Sequence, residues 1–171
     1  TVALRGFIRT ETGRVLNALV KERRPKEIVL ERLDFRNPNL SRRLNRIIQN
    51  CGRSVIQDKL ADFEAKYGIK STEVNPAYTS QTCTACDYVD AKNRKSQKKF
   101  QCLWCGHTKH ADLEAAQNID RRRASVIGSV YQSKVAVLAE LVRRFGERHT
   151  GCRDAPADPR LTNPYFGGVR E

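Results

Sequence analysis

Two C-x2-C pairs, Cys83-Thr84-Ala85-Cys86 and Cys102-Leu103-Trp104-Cys105, stand with fifteen residues between them. They constrain the fold more than any other feature of the chain. Each pair turns the backbone tightly enough to aim both sulfurs at one point, and four thiolates so arranged form a tetrahedral zinc site. Gly106 follows the second pair, where such a turn often needs positive φ. Asp87 holds the matching place after the first, and Asp tolerates left-handed φ better than most residues. The other reading is two disulfides. It leaves Cys51 and Cys152 as spare thiols, in a sequence with no mark of secretion. A centre filled by four sulfurs is closed to substrate. It holds a fold, and chemistry has to come from elsewhere.

The 171 residues amount to one ordinary domain, or one domain with a small insert. Charge then narrows the partners. With 32 Lys and Arg against 19 Asp and Glu, the formal net charge is +13. An excess that large predicts a polyanionic partner, most often nucleic acid. The basic residues also cluster, at 21–26, at Arg42, Arg43 and Arg46, at 92–99 and at 121–123. No apolar run approaches the ~20 residues that a membrane span needs, so no membrane partner is expected. Zinc thiolates and unpaired cysteines suit a reducing, cytoplasmic compartment.

Taken in order, residues 1–24 read as the end of one element followed by a helix with Val15, Leu16, Leu19 and Val20 on one face, ended by Pro25. Residues 27–33, Glu-Ile-Val-Leu-Glu-Arg-Leu, read as a mostly buried strand with Glu31 as its odd feature. Apolar positions from Leu40 to Tyr67 recur every three or four residues, with Cys51 among them. They predict one long helix over residues 39–67, capped by Gly68. Residues 69–75 read as a second strand, ended by Pro76. Strand, helix, strand is a crossover unit, which makes the two strands parallel neighbours in an α/β sheet. Residues 76–109 form the zinc element, with a basic ribbon arm carrying Lys92, Arg94, Lys95, Lys98 and Lys99 for phosphate contact. A helix opens at His110, where Ala115 and Ala116 would allow close packing on a sheet. A further amphipathic helix runs from Val126 to about Phe145, and a loose tail follows from His149.

Two carboxylates stand in unusual places. Glu31 lies on the first strand and Asp112 at a helix start. A buried carboxylate needs a cation, a metal or a donor. For Asp112 an N-cap serves as well as a metal ligand, and for Glu31 an ion pair does. The residue pattern alone leaves both open.

At these residues the chain resembles a known family. Tyr78-Thr79-Ser80-Gln81-Thr82-Cys83, the pair Cys102 to Cys105 with Gly106, and Ala111-Asp112-Leu113-Glu114-Ala115-Ala116-Gln117-Asn118-Ile119 look like the C-terminal part of the TnpB transposon-associated nucleases. Their relatives, the type V CRISPR effector nucleases, share the pattern. The Val29-Leu30-Glu31-Arg32-Leu33 strand resembles the family's second RuvC motif, and Asp112 falls on the Asp of the third. The resemblance covers about residues 27–123.

It implies an RNase H-like (RuvC) α/β fold, over 1–75 and 110–148, with a zinc ribbon inserted at 76–109 and a C-terminal tail at 149–171. It implies an RNA-guided DNA endonuclease with guide RNA and target DNA as partners. Structural Zn²⁺ would sit on Cys83, Cys86, Cys102 and Cys105. Catalytic Mg²⁺ would sit on Glu31 and Asp112, as two of three carboxylates holding a metal pair about 4 Å apart. No Asp precedes Asp34, so the third would come from the N-terminal remainder of a longer parent. Glu114 stands where the family usually has Asn, and Arg32 where an acidic residue commonly follows the Glu. Some relatives bind a guided target without cutting it, so a nuclease-inactive effector of the same fold is the alternative.

Overall fold

The structure is a computed structural model that describes residues 2–34, 38–49 and 53–149. Cys51, Cys152 and the expected tail beyond His149 lie outside the described residues. The chain is mixed α/β and divides into two compact units, one up to Glu73 and one from Val74. No described helix is long and apolar enough to cross a membrane.

The first unit opens with α1, Val2–Arg23, a single helix where the sequence suggests the end of another element first. Proline at position 25 cannot continue it, and the backbone turns through positive φ at Arg24. Only part of the expected apolar face is used. Leu16 and Val20 pack inward, whereas Val15 and Leu19 stay substantially exposed. Strand β1, Glu27–Glu31, follows and pairs with β2, Lys70–Val74. All five positions of β1 are half-buried rather than mostly buried. Its one partner strand among the described residues leaves part of it open.

The long helix expected over 39–67 contains α2, Arg42–Gln49, and α3, Val55–Tyr67. Residues 50–52 between them are not described. Gly68 ends α3 as expected, at φ 67°, with its N–H bonded to the carbonyls of Glu64 and Phe63. The core of this unit is Leu60, Phe63 and Ile69, closed over by Leu16, Val20, Ile28, Leu30 and Ile56. Helices α1 and α3 therefore meet through apolar side chains, and the strands cover one end of the contact.

The second unit contains the cysteine element with strands β3, Lys99–Gln101, and β4, Thr108–His110. They are antiparallel, with Phe100 opposite Lys109. Helix α4, Ala111–Arg122, continues directly from β4. The helix expected from Val126 starts later: a single 3-10 turn spans Val126–Gly128, and α5 is Lys134–Arg148, capped by the Ser133 hydroxyl on the Ala136 N–H. The delay has a steric cause. At Gly128 the chain passes so close to the end of α4 that a Cβ there would lie 2.0 Å from the Arg122 carbonyl oxygen. Only glycine fits, and a straight helix cannot run through that corner. Apolar faces of Ala77, Val89, Ile127, Val137, Leu138 and Leu141 form one core of this unit.

Phe63 is the largest fully buried side chain of the first unit, and Lys59 Nζ stands 4.9 Å above its ring. Phe63→Ala removes a full aromatic from that core and should cost roughly 3–5 kcal/mol in urea denaturation. A loss below about 1 kcal/mol would mean that α1 and α3 do not depend on this core.

Candidate metal centre and its supporting helix

The four cysteines of the two C-x2-C pairs converge. Their sulfurs all lie within 4.8 Å of one another, with Cys83 Sγ 3.7 Å from Cys105 Sγ and Cys86 Sγ 3.6 Å from Cys102 Sγ. A tetrahedron with metal–sulfur bonds of about 2.3 Å has edges of about 3.8 Å. None of the four is in a disulfide. The cluster is therefore compatible with a structural zinc, and it is the one group of three or more metal-binding side chains among the described residues.

The two turns are built alike. The Asp87 N–H bonds back to the Cys83 carbonyl at 2.9 Å and the Gly106 N–H to the Cys102 carbonyl at 3.2 Å. Cys83 N–H then bonds to the Tyr88 carbonyl, and Cys102 N–H to that of His107. Asp87 and Gly106 carry φ of 67° and 72°, the left-handed conformation expected at both places. Asp87 also accepts from Arg148 at 2.6 Å, which pins its turn to the end of α5.

Around the sulfurs the packing is aromatic. Tyr88 and Phe100 are buried with Cys83, Cys86 and Cys102, and Trp104 packs against them. Phe145, from α5, meets Tyr88 and Trp104 edge-on at ring-centre distances of 5.4 and 5.7 Å. Tyr88 and Trp104 thus cover the cluster. Crowding the thiols splits their acidity. Hydrogen bonds from Cys83 and Cys86 hold Cys102 well below the usual thiol range, and its bond to Cys102 pushes Cys86 up. Four thiols packed this closely cannot all ionise unless a cation balances them.

Helix α4 holds this element through polar atoms, which the apolar pattern of the sequence does not announce. Its buried face is Ala111, Glu114, Asn118 and Arg122, while Ala116 is exposed. Glu114 is completely buried. Its Oε1 accepts the Thr84 N–H at 2.6 Å, inside the first cysteine turn, and its Oε2 lies 3.3 Å from His107 Nε2, just past the second. The Asn118 amide donates to the carbonyls of Thr79 and Thr82 at 2.9 and 2.7 Å. Arg121 donates to the Thr84 carbonyl and Arg122 to that of Asn75. Positions 114, 118, 121 and 122 fall on one side at helical spacing. That polar stripe is visible in the sequence, but the small alanines beside it point to a different packing face. His107 serves as the partner of Glu114.

Of the remaining candidate residues, Asp112 and the four lysines are exposed, and Arg94 and Glu31 are half-buried. Asp112 is the second residue of α4, its side chain 66% exposed, and its Oδ1 accepts from Arg94 at 3.0 Å. The cap is His110, whose Nδ1 accepts the Asp112 N–H at 3.4 Å, so Asp112 is not the N-cap. Arg94 also donates to the Gln97 carbonyl, which folds the basic segment back on itself. Lys92, Lys95, Lys98 and Lys99 are exposed, and Asn93 between them is fully buried, bonded to Gln81, Tyr88 and Leu103. Glu31, in the first unit, closes β1 with a half-buried side chain, and its carbonyl accepts the Leu33 N–H.

Comparison with known families covers this region. Residues 48–119 match the family described as Cas12f1-like, TNB domain. A CRISPR-associated endodeoxyribonuclease Cas12f1 from Sulfoacidibacillus thermotolerans is 39% identical over 75 residues, 44% of this chain and 18% of that protein. The putative RNA-guided DNA endonuclease InsQ of Escherichia coli (strain K12) is 40% identical over 84 residues, 49% of this chain and 21% of that protein. A TnpB-like protein from Aquifex aeolicus (strain VF5) is 34% identical over 80 residues, 46% of this chain and 26% of that protein. These matches bear out the resemblance to TnpB-like and type V effector nucleases. The matched stretches span about a fifth of the curated relatives' length.

Stripping zinc from the zinc-loaded chain with a chelator should act beyond the cysteine turns, because Phe145 of α5 shares their core. Trp104, the one Trp of the chain, should shift to the red in fluorescence, and amide protection should fall in α5 together with 83–105. Protection around Phe63 should persist. Unchanged protection in α5 would contradict the shared core. Glu114→Ala leaves the Thr84 N–H unanswered and should cost about 1–3 kcal/mol in denaturant unfolding, while Glu114→Gln, which keeps the acceptor, should recover most of it. Equal losses in the two variants would assign the effect to charge instead.

Proposed function

We propose, on the premise of that kinship, that this chain is the C-terminal RuvC and zinc-ribbon portion of an RNA-guided DNA endonuclease. Residues 1–75 and 110–148 form its RNase H-like part and 76–109 the ribbon. The four cysteines bind Zn²⁺ as a closed structural site. Glu31 and Asp112 are two of three carboxylates that hold Mg²⁺. Magnesium at such a site supplies an activated water and charge stabilisation at the leaving oxygen. Guide RNA and target DNA are the partners, and base pairing between them sets the sequence that is cut.

One observation carries this reading. Asp112 sits on the first turn of α4, exposed, on a helix whose other face is bolted to the metal-binding turns through Glu114 and Asn118. A carboxylate with only a capping role needs no such mounting. A carboxylate that must meet a metal and a phosphate does, since a ligand has to be held within about 0.5 Å of its place. The protein's own contributions are therefore orientation and charge. Helix α4 fixes the backbone from which Asp112 projects. Lys92, Lys95, Lys98 and Lys99 offer exposed cations to a phosphate backbone.

A guided binder that does not cut is the second reading. The Arg94–Asp112 pair favours it, since a carboxylate already matched by a guanidinium has less need of a metal.

The test is cleavage of matched duplex DNA by the complete parent protein with its guide and Mg²⁺. Glu31→Ala and Asp112→Ala should each keep target binding and lose cleavage by on the order of a thousand-fold or more, the equivalent of several kcal/mol of metal stabilisation. A parent that cuts equally well with either substitution would remove these carboxylates from the mechanism. A parent that binds its target and never cuts would establish the second reading.

A further inference from the structure

The basic run at 21–26 plays no part in the site described above. In the first unit it forms one wall of an open cleft of about 1200 Å³. The C-terminal ends of α1 and α3 converge there with the starts of β1 and β2. The cationic side chains lining the cleft are Lys21, Arg24, Lys26, Lys59, Lys66 and Lys70, and its one carboxylate is Glu27. Glu27 Oε1 accepts from the Thr72 hydroxyl at 2.6 Å, and its single negative charge is outnumbered by the cations around it. Lys59 is committed, over the Phe63 ring and 3.9 Å from Asp62. The other five cations have no carboxylate partner among the described residues. Helix ends account for Lys21 and Lys66, which stand in the last turns of α1 and α3 and favour the negative ends of those helices. They do not account for Arg24, Lys26 and Lys70, which lie beyond the helices.

The cleft also has an aromatic rim. Tyr67 is 66% exposed, although its neighbour Phe63, 6.2 Å away between ring centres, is buried in the core. Val20, Phe63 and Ile69 make an apolar floor beneath it. A duplex offers only phosphates to such a place. A single strand offers phosphates to the lysines and an unstacked base to the tyrosine, and a cationic groove with an aromatic platform is how proteins hold single strands.

We propose that this cleft binds a single-stranded polynucleotide, with Lys21, Arg24, Lys26, Lys66 and Lys70 on the backbone and Tyr67 stacked on a base. The site lies wholly within the first unit and involves neither Asp112 nor the cysteine centre. RNA and DNA share the chemistry it recognises.

The experiment is binding of fluorescent twelve-nucleotide single strands, one RNA and one DNA of equal sequence, and of a DNA duplex. The chain is used zinc-loaded, without magnesium, over a series of salt concentrations, so the result does not depend on cleavage. Lys21→Gln, Lys66→Gln and Lys70→Gln together should lower the slope of log affinity against log salt by about 2 for a single strand, about 0.7 for each phosphate no longer neutralised. Tyr67→Ala should weaken single-strand binding about tenfold and leave the slope unchanged. All four side chains are exposed, and circular dichroism checks that the variants stay folded. A triple variant of the other basic segment, with Lys92, Lys95 and Lys98 each changed to Gln, reports separately on that surface. Photo-crosslinking of strands carrying 4-thiouridine or 4-thiothymidine should label the peptide that contains Tyr67. An effect in both single-strand arms supports recognition of backbone and base. An effect in one arm alone supports the site and identifies its strand as RNA or DNA. The proposal is overturned if cleft variants change neither slope nor affinity, if crosslinks fall only at 92–99, or if the weakening appears with the duplex alone.

Discussion

Burial of the Glu114 carboxylate against the first cysteine turn is the interaction on which the second unit depends. A carboxylate removed from water has to be answered by donors. Here the Thr84 N–H and the His107 ring supply them, one from each side of the sulfur cluster. Helix α4 is thereby locked to both turns at once. Asn118 adds two bonds to the segment entering the first turn, and Arg122 one to the segment before it. The cysteines, β4 and α4 follow one another with no flexible link, since Ala111 is both the first residue of α4 and a buried neighbour of the sulfurs. The sulfur cluster and the carboxylate at position 112 thus belong to one rigid arrangement.

How much of this is legible in the sequence depends on whether the signal is local. The cysteine spacing announces four converging sulfurs, and Asp87 and Gly106 announce the left-handed turns, because both follow from covalent geometry and backbone sterics. Strands at 27–31 and 70–74 and the Gly68 cap are local signals too. What escapes is packing between distant segments. Apolar spacing from Val126 suggests a helix there, yet the close pass of Gly128 over Arg122 forces a turn first. Small residues on α4 suggest an apolar contact, yet the buried face is polar and its partners are backbone atoms that carry no sequence signature. The basic run at 92–99 suggests a projecting arm, yet Asn93 is buried inside it and Arg94 turns onto Asp112. Periodicity finds a face but does not say whether carbon or backbone polar groups lie opposite it.

Glu114 gains meaning from that distinction. It is one of the two departures from the TnpB-like pattern. In the structure it reaches two partners on opposite turns, one of them His107. The departure is therefore met within the chain. Arg32, the other departure, lies near Glu73, which Arg53 also pairs at 3.0 Å. It belongs to an ion network on the first unit.

The central claim is that the metal centre is a closed four-sulfur site, with His107 left free to bind Glu114. X-ray absorption at the zinc edge of the purified chain tests it most directly. One shell of four sulfurs at about 2.3 Å is expected, with no nitrogen or oxygen neighbour. A shell of three sulfurs and one imidazole nitrogen near 2.0 Å would contradict it, because His107 would then be a ligand and the tie from Glu114 across the two turns would not exist.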